Sequence, residues 1–187
     1  SPGLTQPAVS ISVKLDRKTA DENGFQGLND MKRDIIELLK AADDPENCEF
    51  PHDFNFRAAM ANVVDLKYDL DRIVGLPFEI EDRIFDASYF AELEIKEPTP
   101  TKIFDLGEIT FRVVRLRFSC FGNFFTLLEE SLKGRLSRPV IAEIIAAAET
   151  RGFVYIDEGI LLEEPYSGCN SELQDLASWW ERYFDYM

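Results

Sequence analysis

Apolar and polar residues alternate in two parts of the chain, and this period of two predicts β-strands. Residues 8–15 place every second side chain on an apolar face, which is typical of a strand with one buried side. Residues 109–121 show the same alternation, and one extra residue at Val113-Val114 predicts a β-bulge. Gly122-Asn123 favours a turn, so residues 124–128 are expected to return as the second strand of a hairpin.

Three longer segments carry apolar residues at helical spacing. The first two predicted helices span residues 28–42 and 55–74. A third begins after Ser137, has Pro139 in its first turn, where a missing N–H costs nothing, and ends before Gly152.

Shorter elements are also expected. A short helix is predicted over residues 87–95 with Asp86 as its N-cap, and short strands over residues 153–156 and 160–162. The aromatic segment 179–186 is expected to pack onto the core, because a free tail with so many rings would aggregate.

These elements predict an α+β fold in which about three long helices pack on an antiparallel or mixed sheet. A chain of 187 residues suits one domain. We expect a flexible tail at residues 1–7, a single domain over residues 8–187, and a possible subdomain connector at residues 98–102.

The composition limits the classes of partner. A net charge of −15 argues against nucleic acid and against an anionic membrane surface, and it is compatible with a basic protein partner or with a role in solubility alone. Three irregularly spaced cysteines form no disulfide framework, and no apolar run approaches the ~20 residues of a membrane span. The polar start shows no secretory leader, so a reducing cytoplasm is the expected location.

The acid excess is interrupted at one place. Residues 41–111 hold six basic and seventeen acidic residues, a net charge of −11, and residues 139–187 carry −8. Residues 112–138 carry +4, and Arg112, Arg115 and Arg117 lie on the predicted hairpin. These arginines could pair with the protein's own carboxylates across strands, or they could bind an anion or an acidic peptide. Both alternatives stay open.

Candidate catalytic and metal-ligating residues are few. The single histidine, His52, lies four residues after Cys48, a spacing that a metal site can use. A tight structural zinc site usually has more Cys or His ligands, so a surface loop between two helices is the favoured interpretation. No Walker A or G-x-G-x-x-G motif is present, and no cofactor is expected. Carboxylates are abundant, so adjacent pairs mostly indicate a solvated surface. The weak catalytic candidates near the C-terminus are Asp157, Glu158, Glu163 and Glu164.

Aromatic residues supply the remaining binding candidates. Tyr166, Trp179 and Trp180 could form a stacking surface, and core packing is the alternative. Through residues 117–123, 152–156, 165–168 and 179–186, the second half of the chain resembles a set of small, largely uncharacterised bacterial proteins, some of them immunity-like proteins of toxin systems. That resemblance implies a partner-binding role, and it supplies no catalytic residues to assign to this chain.

Three functions are therefore considered. The first is a non-catalytic acidic domain, immunity- or antitoxin-like, that covers a basic protein. The second is a hydrolase that uses the carboxylates between Asp157 and Glu164. The third is a structural subunit that forms homo-oligomers through its aromatic C-terminus.

Overall fold

The computed structural model describes most of the chain. The described residues are 22–96, 101–103, 107–109, 112–128 and 136–186. The predicted tail and the predicted strand at residues 8–15 lie outside them, as do residues 98–100 of the predicted connector.

The described residues form helices and a five-stranded mixed sheet, which confirms the predicted α+β single domain. The helices are α1 (Glu22–Ala42), α2 (Phe56–Val74), α3 (Arg138–Thr150), α4 (Glu158–Glu163) and α5 (Trp179–Phe184), with one 3₁₀ turn at Ser171–Leu173. The strands are β1 (Glu79–Glu81), β2 (Tyr89–Lys96), β3 (Thr101–Ile103), β4 (Gly107–Ile109), β5 (Arg112–Ser119), β6 (Phe124–Leu127) and β7 (Val154–Tyr155).

The three long helices end near the predicted positions, and α2 and α3 also begin there. The side chain of Asn55 caps α2 by accepting a hydrogen bond from the backbone of Ala58. Gly75 ends that helix in the left-handed conformation, with φ 75°, which glycine adopts without strain. Ser137 is the N-cap residue of α3, as predicted, whereas α1 begins earlier than its apolar pattern indicates.

The main sheet has the order β1-β2-β5-β6-β7, and only the β6–β7 pair is parallel. Strands β3 and β4 form a separate antiparallel pair. The predicted bulge is confirmed, because Ile95 pairs with Val114 while Lys96 pairs with Arg112, leaving one extra residue on β5. The predicted turn is also confirmed, with Gly122 and Asn123 at φ 59° and 53°.

Two short predictions are wrong. Residues 87–95 lie mostly in β2 and not in a helix, because the strand pairs with β1 on one side and β5 on the other. Residues 160–162 lie in α4 and not in a strand, because Asp157 caps that helix by accepting a hydrogen bond from the Gly159 backbone. Distant pairing decided the first case, and a local cap decided the second.

The sheet has one apolar face and one charged face. Leu93, Leu116 and Leu127 are register partners with no exposed surface, and they represent the apolar face. Strand β2 and helix α2 contact each other, and α2 buries Val63 and Leu66. On the charged face Glu92 pairs in register with Arg117. We call the side that carries Glu92 and Arg117 the charged face below.

Candidate functional site

The charged face holds two of the predicted binding arginines in ion pairs. Arg117 donates through Nε to Glu92 Oε1 at 2.7 Å, and Arg115 Nη1 lies 4.0 Å from the same oxygen. The Glu92 side chain is only 4% exposed. The arginines therefore neutralise a buried carboxylate, which would be costly to leave unpaired. The structure thus shows internal pairing for Arg115 and Arg117. Contact with an acidic peptide stays a prediction, and the side chain of Arg112 lies outside the described set.

Arg117 also ties the C-terminal segment to the sheet. Its guanidinium lies 4.1 Å from the ring centre of Tyr89 and 5.3 Å from that of Trp180, and Nη1 donates to the carbonyl of Phe184. These contacts use the arginine as a clamp between β5 and α5.

A cleft of about 570 Å³ lies beside this clamp. Its lining residues come from β1, the β1–β2 connection, β2, β5 and the segment after α5, and they are Glu81, Arg83, Ile84, Tyr89, Glu92, Arg117 and Tyr186. Burial and a hydrogen bond with Tyr186 raise the pKa of Tyr89 above its usual value. Each arginine of the cleft is near a glutamate, Arg83 with Glu81 and Arg117 with Glu92. The cleft therefore has no excess of positive charge to attract an acidic ligand.

The aromatic binding candidates pack inside the protein. Trp179 has no exposed surface, stacks on Tyr183 with ring centres 5.7 Å apart, and meets Tyr166 edge-on at 4.9 Å. Trp180 is half-buried and stacks on Phe184. The expectation that the aromatic C-terminus packs onto the core is therefore met by these contacts.

The most buried polar cluster was not identified from the sequence. Arg182 donates through Nε to Asp43 Oδ1 at 2.6 Å, and neither side chain is exposed. Its other nitrogens donate to the carbonyls of Cys48 and Asn47 at 2.6 and 3.1 Å. The guanidinium also lies 4.0 Å from the ring centre of Phe121. A lone arginine within an aromatic run was the one sequence signal for such a buried pair.

The other oxygen of Asp43 holds a second loop. Asp43 Oδ2 accepts from the hydroxyl of Tyr166 and from the backbone N–H of Cys169, each at 2.7 Å. Gly168 passes so close that a Cβ there would lie 2.0 Å from this oxygen. The loop that carries residues 43–54 is thereby fixed against the loop that carries residues 165–170.

The pKa of Asp43 is the basis for a pH prediction. Burial alone would raise that pKa, but the hydrogen bonds from Tyr166, Arg182 and Cys169 together hold it below its usual value. A lowered folded-state pKa stabilises the protein above the unfolded value, about 3.9, and this stabilisation is lost as the pH falls through the folded pKa. We expect the free energy of unfolding to fall more steeply below about pH 4 in the wild type than in Asp43→Asn. Urea unfolding at several pH values measures both slopes, and equal slopes would contradict the assignment.

None of the four catalytic candidates lines the cleft beside Arg117. Asp157 caps α4 and Glu158 lies in its first turn. At the other end of α4, Lys32 Nζ lies 2.5 Å from Glu164 Oε1 and 3.7 Å from Glu163 Oε2. Asp157 thus serves as a helix cap, and Glu163 and Glu164 form ion pairs with Lys32. Hydrolysis by the four carboxylates stays a prediction.

The two weak metal candidates, Cys48 and His52, have different surroundings. Cys48 Sγ lies 3.8 Å from Asn170 Nδ2 and 3.9 Å from Glu172 Oε2, whereas His52 lies in an exposed turn. Within the described ranges, the structure has no group of three or more His, Cys, Asp or Glu residues placed to hold a metal ion.

Exposed carboxylates collect where the two fixed loops meet. Asn170 Nδ2 donates to the carbonyl of Asp44 at 3.0 Å, which brings the loops side by side. Three exposed acidic residues lie on the first loop and one in the 3₁₀ turn that follows the second, and we call them the acidic loop face: Glu46, Glu49, Asp53 and Glu172. The rings of Phe50 and Phe56 are exposed in the same stretch of chain.

Comparisons with family models, with characterised protein sequences and with solved structures found no match to this chain. None of the described helices has the length and apolar character needed to cross a bilayer.

Proposed function

We propose that this chain is a non-catalytic, acidic protein-binding domain that covers a basic partner in a reducing cytoplasm, in the manner of an immunity or antitoxin protein. The single observation that supports this function is the acidic loop face, whose carboxylates are exposed while several of the described cations, such as Arg117 and Arg182, form ion pairs within the fold.

The internal use of cations extends over the molecule. Ion pairs join Lys32 to Glu164, Lys96 to Glu79 and Glu94, and Arg151 to Asp69, in addition to the pairs of Arg117 and Arg182. Because nearby carboxylates neutralise these cations, the exposed carboxylates of the acidic loop face keep their negative charge. A surface of this kind accelerates encounter with a basic partner and repels an acidic one.

Neutralising the acidic loop face tests this proposal. We expect the triple variant Glu46→Gln, Glu49→Gln, Asp53→Asn to bind its partner at least about tenfold more weakly, since three exposed pairs at ~0.5 kcal/mol each amount to ~1.5 kcal/mol. Affinity capture at low salt from the native host, followed by identification and titration of the retained basic protein, provides the measurement.

A matched control separates this surface from net charge. The triple variant Asp34→Asn, Asp82→Asn, Glu143→Gln changes three exposed acids elsewhere on the molecule. It should retain the partner as the wild type does, and added salt should release the partner from both. Equal loss from the two variants, or capture of no basic protein at all, would remove the support for a specific acidic face.

A further inference from the structure

We propose that Phe50 and Phe56 form the apolar anchor of this docking surface, and that the partner inserts an apolar side chain flanked by lysine or arginine. This inference rests on the proposed function and specifies the chemistry that the partner must present.

The two rings are the outer members of a continuous aromatic chain. Phe50 and Phe56 are 52% and 48% exposed, which is unusual for neighbouring phenylalanines. Phe54 links Phe50 to the interior, since its ring centre lies 6.5 Å from that of Phe50 and 5.3 Å from that of Phe90. Phe56 also meets Phe90, edge-on at 6.1 Å.

The inner end of this aromatic chain is part of the core. Phe90 is 5% exposed, and its ring centre lies 6.4 Å from that of Phe118, which has no exposed surface. A side chain seated on Phe50 and Phe56 would therefore rest on rigidly packed rings.

The backbone that carries the rings is fixed before any partner arrives. Arg182 holds the carbonyls of Asn47 and Cys48 just before Phe50. The Phe54 N–H donates to the Pro51 carbonyl at 2.9 Å, and Asn55 caps the helix that begins with Phe56. A surface already ordered loses little conformational entropy on binding, so more of the contact energy remains for affinity.

The charges around the rings select the partner. Glu49 precedes Phe50 and Asp53 lies between the two rings in sequence, both exposed, and Arg57 is the exposed cation beside them. An apolar centre within a charged rim is the usual arrangement of binding hot spots. A second copy of this chain is disfavoured as the occupant, because it would bring the same carboxylates face to face at a net charge of −15.

Two synthetic peptides test the anchor with the full chain. The first alternates lysine with leucine, the second replaces each leucine with serine, and both carry a fluorescein label. We expect the wild type to bind the leucine peptide about tenfold more tightly by fluorescence anisotropy, which is about 1.4 kcal/mol for the buried apolar groups.

Serine substitutions assign that preference to the rings. Phe50→Ser with Phe56→Ser should abolish the preference and keep the binding of the serine peptide, and Phe50→Ser alone should reduce it. The control Leu76→Ser with Phe85→Ser removes two other exposed apolar side chains, 53% and 76% exposed, and should behave as the wild type does. Circular dichroism confirms that each variant is folded.

The outcomes separate this inference from the proposed function. Equal binding of both peptides by the wild type would overturn the anchor and leave the acidic loop face intact. Binding of neither peptide would overturn both. Sedimentation could instead show that the wild type is a dimer and that the Phe50→Ser, Phe56→Ser variant is a monomer. That result would assign the rings to an interface with a second copy and overturn the proposal that they bind a basic partner.

Discussion

Arg182→Ala is expected to destabilise the protein by about 3–5 kcal/mol, because it leaves the buried carboxylate of Asp43 without its cation. The change also leaves the carbonyls of Asn47 and Cys48 without their donor. Since a domain of this size is stable by about 5–15 kcal/mol, the loss is a large fraction of the total. Urea unfolding followed by tryptophan fluorescence measures it.

Arg182→Lys and Arg151→Ala are the companion variants. Lysine keeps the positive charge but lacks the planar fork that reaches Asp43 and two carbonyls together, so it should recover only part of the stability. Arg151 pairs with Asp69 but its side chain is 28% exposed, and its removal should cost at most about 1 kcal/mol. Similar losses for Arg182→Ala and Arg151→Ala would show that the buried pair adds nothing beyond an exposed one.

Trp179→Ala is expected to cost about 3–5 kcal/mol, the range for removing a large aromatic side chain from a close-packed core. Trp179 has no exposed surface and contacts the rings of Tyr183 and Tyr166, so the substitution opens a cavity beside the Asp43 cluster. Thermal unfolding by calorimetry, with the midpoint and enthalpy compared to the wild type, provides the test.

The adjacent Trp180 supplies a control of the same chemistry. It is half-buried, stacks on Phe184 and lies over Arg117, so Trp180→Ala should lose about 1 kcal/mol for those ring contacts. If the two substitutions cost the same, burial of Trp179 is not what anchors the C-terminal segment. The two substitutions also distinguish core packing from binding. If Trp179→Ala weakened partner binding and left the stability unchanged, the result would support a stacking surface.

Local patterns determined the elements that depend on neighbouring residues. Apolar spacing predicted α2 and α3, Asn55 and Ser137 lie at their caps, and Gly122-Asn123 forms the predicted turn. The extra residue at Val113-Val114 predicted the bulge, because strand alternation is a local property of the chain. The acid excess and its interruption on β5 were equally readable from the sequence.

Contacts between distant parts of the chain decided the rest. The short predicted helix became β2 because β1 and β5 pair with both of its edges, and a local propensity is too weak to oppose two ladders of hydrogen bonds. The arginines of β5 were recognised as part of the one basic segment. Only the pairing of β2 with β5, which sets Arg117 opposite Glu92 and Arg115 opposite Glu94, showed that these two are used internally.

The sequence by itself determined an acidic α+β domain, its long helices and its hairpin, because periodicity and caps act within a few residues. Only the tertiary structure could bring together Asp43 and Arg182, which are 139 residues apart in the chain. The buried pair of Asp43 and Arg182 holds the loop of residues 43–54, on which Glu46, Glu49 and Asp53 are exposed. The sign of the net charge was a property of composition, and the exposure of Glu46, Glu49 and Asp53 on a loop held by Arg182 was a property of the fold.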